Sequence, residues 1–175
     1  MLPGVLLFEL RQFSDDRGLF METFNERVME QSGLPTCWRQ DNFSLSRRNV
    51  VRGLHYQLMQ PQGKLVRVLF GSAWDVVVDL RRSSPTFGRH LAIPLHAADG
   101  LLLWIPPGFA HGFAALTEQV GFSYKVTEFY AAADERTILW NDPDLGIPWP
   151  VEENAAILSA KDREGCRFAE AEVFA

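Results

Sequence analysis

Apolar side chains alternate with polar ones through most of the chain, in short runs that end at Gly, Pro, Ser or Asp. That is the period of strands with one buried face. The runs Val5–Leu10, Leu19–Phe24, Trp38–Asn42, Val50–Leu58, Lys64–Phe70 and Trp74–Leu80 read as strands. So do Arg89–Leu95, Leu101–Ile105, His111–Leu116, Gly121–Glu128 and Thr137–Trp140. Turn clusters such as Gln60–Gly63, Ser83–Pro85, Ala98–Gly100 and Pro106–Gly108 separate many of them. One helix is expected at Glu26–Gln31, capped by Asn25 and stopped by Gly33. Beyond Asn154 only short, weak helical patterning remains. Roughly ten closely spaced strands imply an all-β sandwich or barrel, and this length favours a jelly roll.

The alternation also assigns faces. Trp74, Val76, Val78 and Leu80 share one side of their strand, and Asp75, Val77, Asp79 and Arg81 the other. Phe122, Tyr124 and Val126 are grouped against Ser123, Lys125 and Thr127. Around His55, strict alternation places Val51, Gly53 and Gln57 on its face and Arg52, Leu54 and Tyr56 on the opposite one.

Composition narrows the class. The 175 residues are 47% hydrophobic with 13 Phe and 5 Trp, enough for one domain over 1–175 with a substantial core. A net charge of −5 argues against a general nucleic-acid binder. Two cysteines, Cys37 and Cys166, exclude a disulfide framework and nearly exclude a thiolate zinc cluster. No apolar run approaches a membrane span, and MLPGVLLFEL lacks a basic n-region and a cleavage site, so the expectation is a cytoplasmic protein without membrane association.

Of the four histidines, His90 and His96 read as surface or edge residues. His111, in Pro106-Pro-Gly-Phe-Ala-His-Gly-Phe, resembles the second half of the cupin pattern, in which a Pro-x-Gly turn delivers a histidine to the barrel interior. The first cupin half supplies His-x-His and a downstream Glu. Here His55 stands alone, Gln57 takes the second His position and Lys64 lies nine residues past His55. A divalent metal needs about three protein ligands, and an ammonium opposes it, so no metal is expected. His55 is then either a hydrogen-bonded core histidine or a general base. A base needs an orienting carboxylate, a stabiliser of negative charge and an acid. Asp162, Lys64 and Tyr124 are candidates for these, each with a plain alternative as a turn cap, a snorkelling strand-end lysine and a core tyrosine. Spacing alone does not bring the four together.

Ten segments in order do resemble one family, the dTDP-4-dehydrorhamnose 3,5-epimerases, over roughly residues 3 to 165. They are Asp16-Arg-Gly-Leu-Phe-Met-Glu-Thr, Arg39-Gln-Asp-Asn-Phe-Ser, Val51-Arg-Gly-Leu-His-Tyr-Gln, Gln62-Gly-Lys-Leu-Val-Arg-Val and Asp75-Val-Val-Val-Asp-Leu-Arg. Ser84-Pro-Thr-Phe-Gly, Trp104-Ile-Pro-Pro-Gly-Phe-Ala-His-Gly-Phe, Tyr124-Lys-Val-Thr-Glu-Phe-Tyr, Ile138-Leu-Trp-Asn-Asp-Pro and Leu158-Ser-Ala-Lys-Asp complete them. The resemblance implies a cupin-type jelly-roll barrel with short peripheral helices, no metal or cofactor, and a homodimer with an exchanged N-terminal segment. Its substrate would be a dTDP-linked 4-keto-6-deoxy sugar, epimerised at C3 and C5. By the same resemblance His55 is the base, Asp162 its orienting partner, Lys64 the enolate stabiliser and Tyr124 the acid. His111 would bond within the sugar site, and Arg52, Lys161 and Arg17 would hold the diphosphate. Arg52 and His55 would then serve one ligand from opposite faces of their strand, which a bulge or kink at Gly53 would resolve. Gln40, Asp41, Asn42, Glu22 and Glu135 match further binding positions, Tyr130 the residue that stacks on thymine, and Arg17 and Glu22 are expected to serve the partner's site. The chain departs from the family at Phe129, where a second Tyr is common, and at Leu19, where Phe is common. The alternatives are a mono-epimerase acting on C3 or C5 only, from a deoxysugar antibiotic pathway, and a non-catalytic nucleotide-sugar-binding cupin.

Overall fold

The computed structural model describes residues 2–175. Twelve strands run in chain order as β1 (Leu6–Glu9), β2 (Gln12–Asp15), β3 (Gly18–Met21), β4 (Gln40–Arg47), β5 (Val51–Gln57) and β6 (Lys64–Phe70). They continue as β7 (Ser72–Asp79), β8 (His90–His96), β9 (Leu101–Ile105), β10 (Phe109–Ala115), β11 (Gln119–Val126) and β12 (Glu135–Thr137). Two short helices, α1 (Glu26–Gln31) and α2 (Ala160–Arg163), lie at the periphery. One antiparallel sheet has the order β1-β9-β6-β11-β4, a second the order β12-β5-β10-β7-β8, and β2-β3 form a separate hairpin. This is a cupin-type jelly roll, as expected.

The core between the two sheets is built from inward residues of both: Val66, Val68, Leu103 and Ile105 meet Val77, Leu95, Phe109 and Phe113. Phe113 of the second sheet and Phe122 of the first stack at 4.1 Å, worth about 1 kcal/mol beyond the area they bury. The outer face of the second sheet is covered by the C-terminal segment, where Val76, Val78 and Leu80 pack with Leu54, Tyr56, Ile138 and Leu145. The predicted faces of β7 are therefore observed, with Asp75 turned inward among apolar neighbours. α1 packs Met29 on Leu65, Leu102 and Trp104 at the outer face of the first sheet. Asn25 caps it by accepting the N–H groups of Arg27 and Val28.

The bulge anticipated at Gly53 sits in the middle of β5. His111 pairs with His55 while Phe113 pairs with Arg52, so Gly112 opposes two residues, Gly53 and Leu54. The extra residue reverses the parity of the strand. Arg52 before it and His55 and Gln57 after it face the barrel interior, and Leu54 and Tyr56 join the outer core. Only glycine suits this place. Its φ is +131°, and a Cβ there would lie 2.5 Å from the Gly112 Cα and 2.9 Å from the His111 carbonyl oxygen.

Several expectations differ. The strand expected at Trp38–Asn42 begins later and runs on, as Gln40–Arg47, and that expected at Leu19–Phe24 ends earlier, as Gly18–Met21. The hairpin strand β2 was not read from the sequence, because Gln12–Asp15 is exposed along its whole length and has no buried face to impose alternation. The run expected at Thr137–Trp140 pairs earlier, as Glu135–Thr137 against β5. Ile138 beyond it exchanges backbone hydrogen bonds with Leu54 of β5, at 3.0 and 3.1 Å, and bridges Cys166 on its other side.

Candidate active site

A cavity of about 520 Å³ opens between the two sheets. His55, Lys64, His111, Tyr124 and Asp162 line it, with Arg52, Tyr130, Glu135 and Lys161 toward its mouth. They arrive from several elements. β5 brings Arg52 and His55 through the bulge, β10 brings His111 after the Pro106–Gly108 turn, β6 opens with Lys64 and β11 carries Tyr124. His55 and His111 therefore stand on the second sheet, and Lys64 and Tyr124 on the first, facing them across the cavity.

Asp162 comes from α2. Ser159 caps that helix by accepting the Asp162 N–H at 3.2 Å and donates its own hydroxyl to Asp162 Oδ2 at 2.6 Å, a reciprocal cap in a Ser-x-x-Asp pattern. The other oxygen, Oδ1, lies 2.6 Å from His55 Nε2 and accepts the Gly53 N–H at 3.3 Å. Burial on its own raises the Asp162 carboxyl, but the donors of His55, Ser159 and Gly53 outweigh it and bring it down to about 2. An ionised carboxylate at that distance calls for a proton on His55 Nε2, which leaves the lone pair on Nδ1. His55 itself is pushed below its ordinary value by burial, with Asp162 opposing.

Lys64 is buried, and among the described residues its Nζ donates only to the His55 carbonyl, at 3.4 Å. Desolvation brings the ammonium down to about 8. Burial moves the Tyr124 phenol up, so it keeps its proton at neutral pH. The three groups thus offer a neutral imidazole, an ammonium and a neutral phenol side by side.

At the mouth, Lys161 bonds Glu135 at 2.8 Å, and Glu135 accepts the Tyr130 hydroxyl at 3.0 Å. Burial raises the Glu135 carboxyl and Lys161 more than offsets it. Arg52 donates Nε to Ser46 Oγ at 3.1 Å and has no carboxylate partner among the described residues, so its fork is free for an anion.

The other predicted binding residues lie outside this cavity. Arg17, at the β2–β3 turn, pairs with Asp15 in the open, and exposed Glu22 accepts from Asn25. Gln40 accepts the Tyr130 backbone N–H just beyond the mouth. Asn42 stands opposite Tyr124 in register on the half-buried face of β4. Asp41 points the other way, where Lys125 Nζ donates to both of its oxygens at 2.8 Å.

Two residues were missed in the sequence. Asp75, fully buried, holds His111 Nε2 at 2.9 Å through Oδ2, making a second His–Asp pair beside the first. The signal was present, a carboxylate on the inward face of β7. Ser159 was missed because a capping serine is common. Among the described residues no three of His, Cys, Asp and Glu are gathered as metal ligands. A hollow of about 540 Å³ at Trp140, Arg163 and Arg167 holds none of the predicted residues, and Asp142 there is taken up by Arg167 and the Phe168 N–H.

The family model for dTDP-4-dehydrorhamnose 3,5-epimerase matches residues 1–170. The Pseudomonas aeruginosa dTDP-4-dehydrorhamnose 3,5-epimerase is 53% identical over 99% of this chain and 96% of its own length. The Legionella pneumophila dTDP-6-deoxy-D-glucose-3,5-epimerase, solved with dTDP-4-keto-L-rhamnose, has a TM-score of 0.91 and 42% identity, covering 96% of this chain and 89% of that one. A 3′-monoepimerase from Streptomyces bikiniensis, solved with dTDP-quinovose, has a TM-score of 0.90 and 34% identity, covering 96% and 85%.

Lys64 works against folding. Its proton affinity falls from 10.5 in the unfolded chain to about 8 in the folded one, so the penalty is complete below pH 8 and disappears as pH rises toward 10.5. At neutral pH it is on the order of 3 kcal/mol. Lys64→Met is expected to be more stable than the parent at pH 7 by denaturant unfolding, with the advantage shrinking between pH 8 and 10.5. A variant less stable at pH 7 contradicts the buried, unpaired ammonium.

Proposed function

The chain belongs to the dTDP-4-dehydrorhamnose 3,5-epimerase family, and we propose that it inverts C3 and C5 of dTDP-4-dehydro-6-deoxy-D-glucose to give dTDP-4-dehydro-L-rhamnose with the groups gathered in this cavity. The observation that carries the assignment is that His55 and Tyr124 line one cavity from facing sheets, with Lys64 in the same lining, which suits them to act as base, acid and charge stabiliser. Inversion requires a proton to leave one face of a carbon and return to the other.

A 4-keto group acidifies the hydrogens on C3 and C5, because the electron pair left behind moves onto O4 as an enolate. His55 takes the proton on its free nitrogen while Asp162 holds the ring and stabilises the imidazolium, as in other His–Asp pairs. The Lys64 ammonium meets the charge developing on O4. In a site withdrawn from water this pre-placed charge is the largest single contribution. Tyr124 gives its phenol proton to the opposite face. His55 then releases a proton to solvent and Tyr124 regains one, so the same groups serve the second carbon once the sugar ring has turned over. His111, steadied by Asp75, hydrogen-bonds within the sugar site.

The nucleotide lies toward the mouth. Arg52 and Lys161 take the diphosphate, Tyr130 stacks on thymine, and Glu135 with Gln40 and Asn42 completes that end. Arg17 reaches a diphosphate, and Glu22 the polar groups of the thymidine or sugar, only in a second copy of the chain. The β2–β3 hairpin that carries Arg17 leaves Phe13, Leu19 and Phe20 exposed, Phe20 by 68%, and the outer face of the first sheet leaves Phe43 and Leu45 more than half exposed. Both surfaces fit a homodimer in which the hairpin crosses to the partner. The exposed, free thiol of Cys37 suits a reducing compartment, the cytoplasm.

Incubation with dTDP-4-keto-6-deoxyglucose in deuterated water is expected to place label at both C3 and C5, and His55→Ala to abolish both exchanges. Label at one carbon makes the protein a mono-epimerase, as in the Streptomyces bikiniensis relative. No label at either makes it a binding protein. Sedimentation at micromolar concentration is expected to return the dimer mass, and a monomer contradicts the crossing hairpin.

A further inference from the structure

Gln57 occupies the position two residues after His55, on the inward face of β5, and is 3% exposed. Among the described residues its carboxamide forms no hydrogen bond with the groups assigned to proton transfer. Every bond it forms goes instead to the backbone of two loops at the cavity mouth. Nε2 donates to the Gln60 carbonyl at 2.8 Å and to the Phe129 carbonyl at 3.1 Å, and Oε1 accepts the Ala131 N–H at 2.9 Å. The backbone on both sides of Tyr130 is therefore tied to one buried side chain. The Tyr130 N–H is bonded to a second glutamine, Gln40. The Gln60 end is fixed as well, because Asp134 accepts the N–H groups of Met59 and Gln60 at 2.9 and 2.7 Å.

Tyr130 is more than half exposed and has little packing to hold its ring. Its position depends on the backbone beneath it and on the bond from its hydroxyl to Glu135. We propose that Gln57 is a positioning residue for nucleobase recognition: it staples the Phe129–Ala131 backbone to the β5–β6 loop and so presents the Tyr130 ring to the base in its bound placement. This rests on the reading of Tyr130 as the base platform. A loop that is already ordered has less conformational entropy to lose on binding, so the staple acts on affinity for the nucleotide and leaves the chemical step alone.

The test is a double-mutant cycle with Gln57→Leu and Tyr130→Ala, read as dTDP affinity and as KM and kcat for the dTDP-sugar. Loss of three buried bonds in Gln57→Leu is expected to weaken dTDP binding about tenfold and raise KM by a similar factor. Its kcat should stay within about twofold, and its affinity for inorganic pyrophosphate should be unchanged. In the Tyr130→Ala background the same substitution is expected to cost nothing further. If the chain does not fold with leucine, Gln57→Glu carries the same cycle, since it keeps the size and the acceptor for Ala131 but loses both donors. Full additivity of the two losses overturns the proposal, as does a fall in kcat at unchanged KM or an equal loss of pyrophosphate binding. If Tyr130→Ala leaves dTDP affinity intact, the platform reading itself is wrong and the staple has nothing to position.

Discussion

One buried carboxylate joins the parts of this site that the chain keeps furthest apart. Asp162 Oδ1 accepts the N–H of Gly53 and meets His55 Nε2, while Oδ2 is held by Ser159. The bulge at Gly53 is what turns both Arg52 and His55 inward, since an unbroken strand would send one of them to the outer core. The same carboxylate that anchors the bulge therefore also orients the imidazole. A neutral partner at residue 162 would leave the Gly53 amide with a weaker acceptor and His55 free to change tautomer. Fold and chemistry depend on one charge, which the cap on α2 keeps in place.

Around that charge the barrel uses burial to set protonation states. Desolvation lowers both His55 and Lys64 and raises Tyr124, so one physical cause yields a free base, a titratable ammonium near neutrality and a proton-bearing phenol. Such a cavity must be closed on its flanks. The stacked Phe113 and Phe122 do this from within, and the C-terminal segment seals the outer face of the second sheet. Conformational stability is given up locally at Lys64 and recovered in the large cores on either side of it.

Much of this was legible in the sequence, and the exceptions share a cause. β6 and β9 lie at their expected bounds, and α1 spans Glu26–Gln31 with Asn25 as its cap, because strong alternation and a capping residue are local signals. The family resemblance, by setting Arg52 and His55 on one ligand against their strand parity, pointed to the glycine that resolves the conflict. What could not be read were bonds between distant residues. Gln57 and Phe129 are far apart in the chain, and so are His111 and Asp75, and no periodicity announces either pair. The hairpin strand β2 left no trace because none of its side chains is buried. The family resemblance supplied Arg17, Glu22 and Asp41, yet within one chain they lie away from the cavity.

The central claim is that Asp162 holds His55 as a neutral imidazole with its proton on Nε2, ready to accept another on Nδ1. Nitrogen-15 NMR of the imidazole, titrated from pH 5 to 9 in the parent and in Asp162→Asn, tests this directly. The parent should show the Nε2–H tautomer at pH 7.5 and a pKa below 6.5. Asp162→Asn should titrate lower still, having lost the carboxylate that favours the imidazolium. An Nδ1–H tautomer in the parent, or an imidazolium persisting at pH 7.5, would contradict the account.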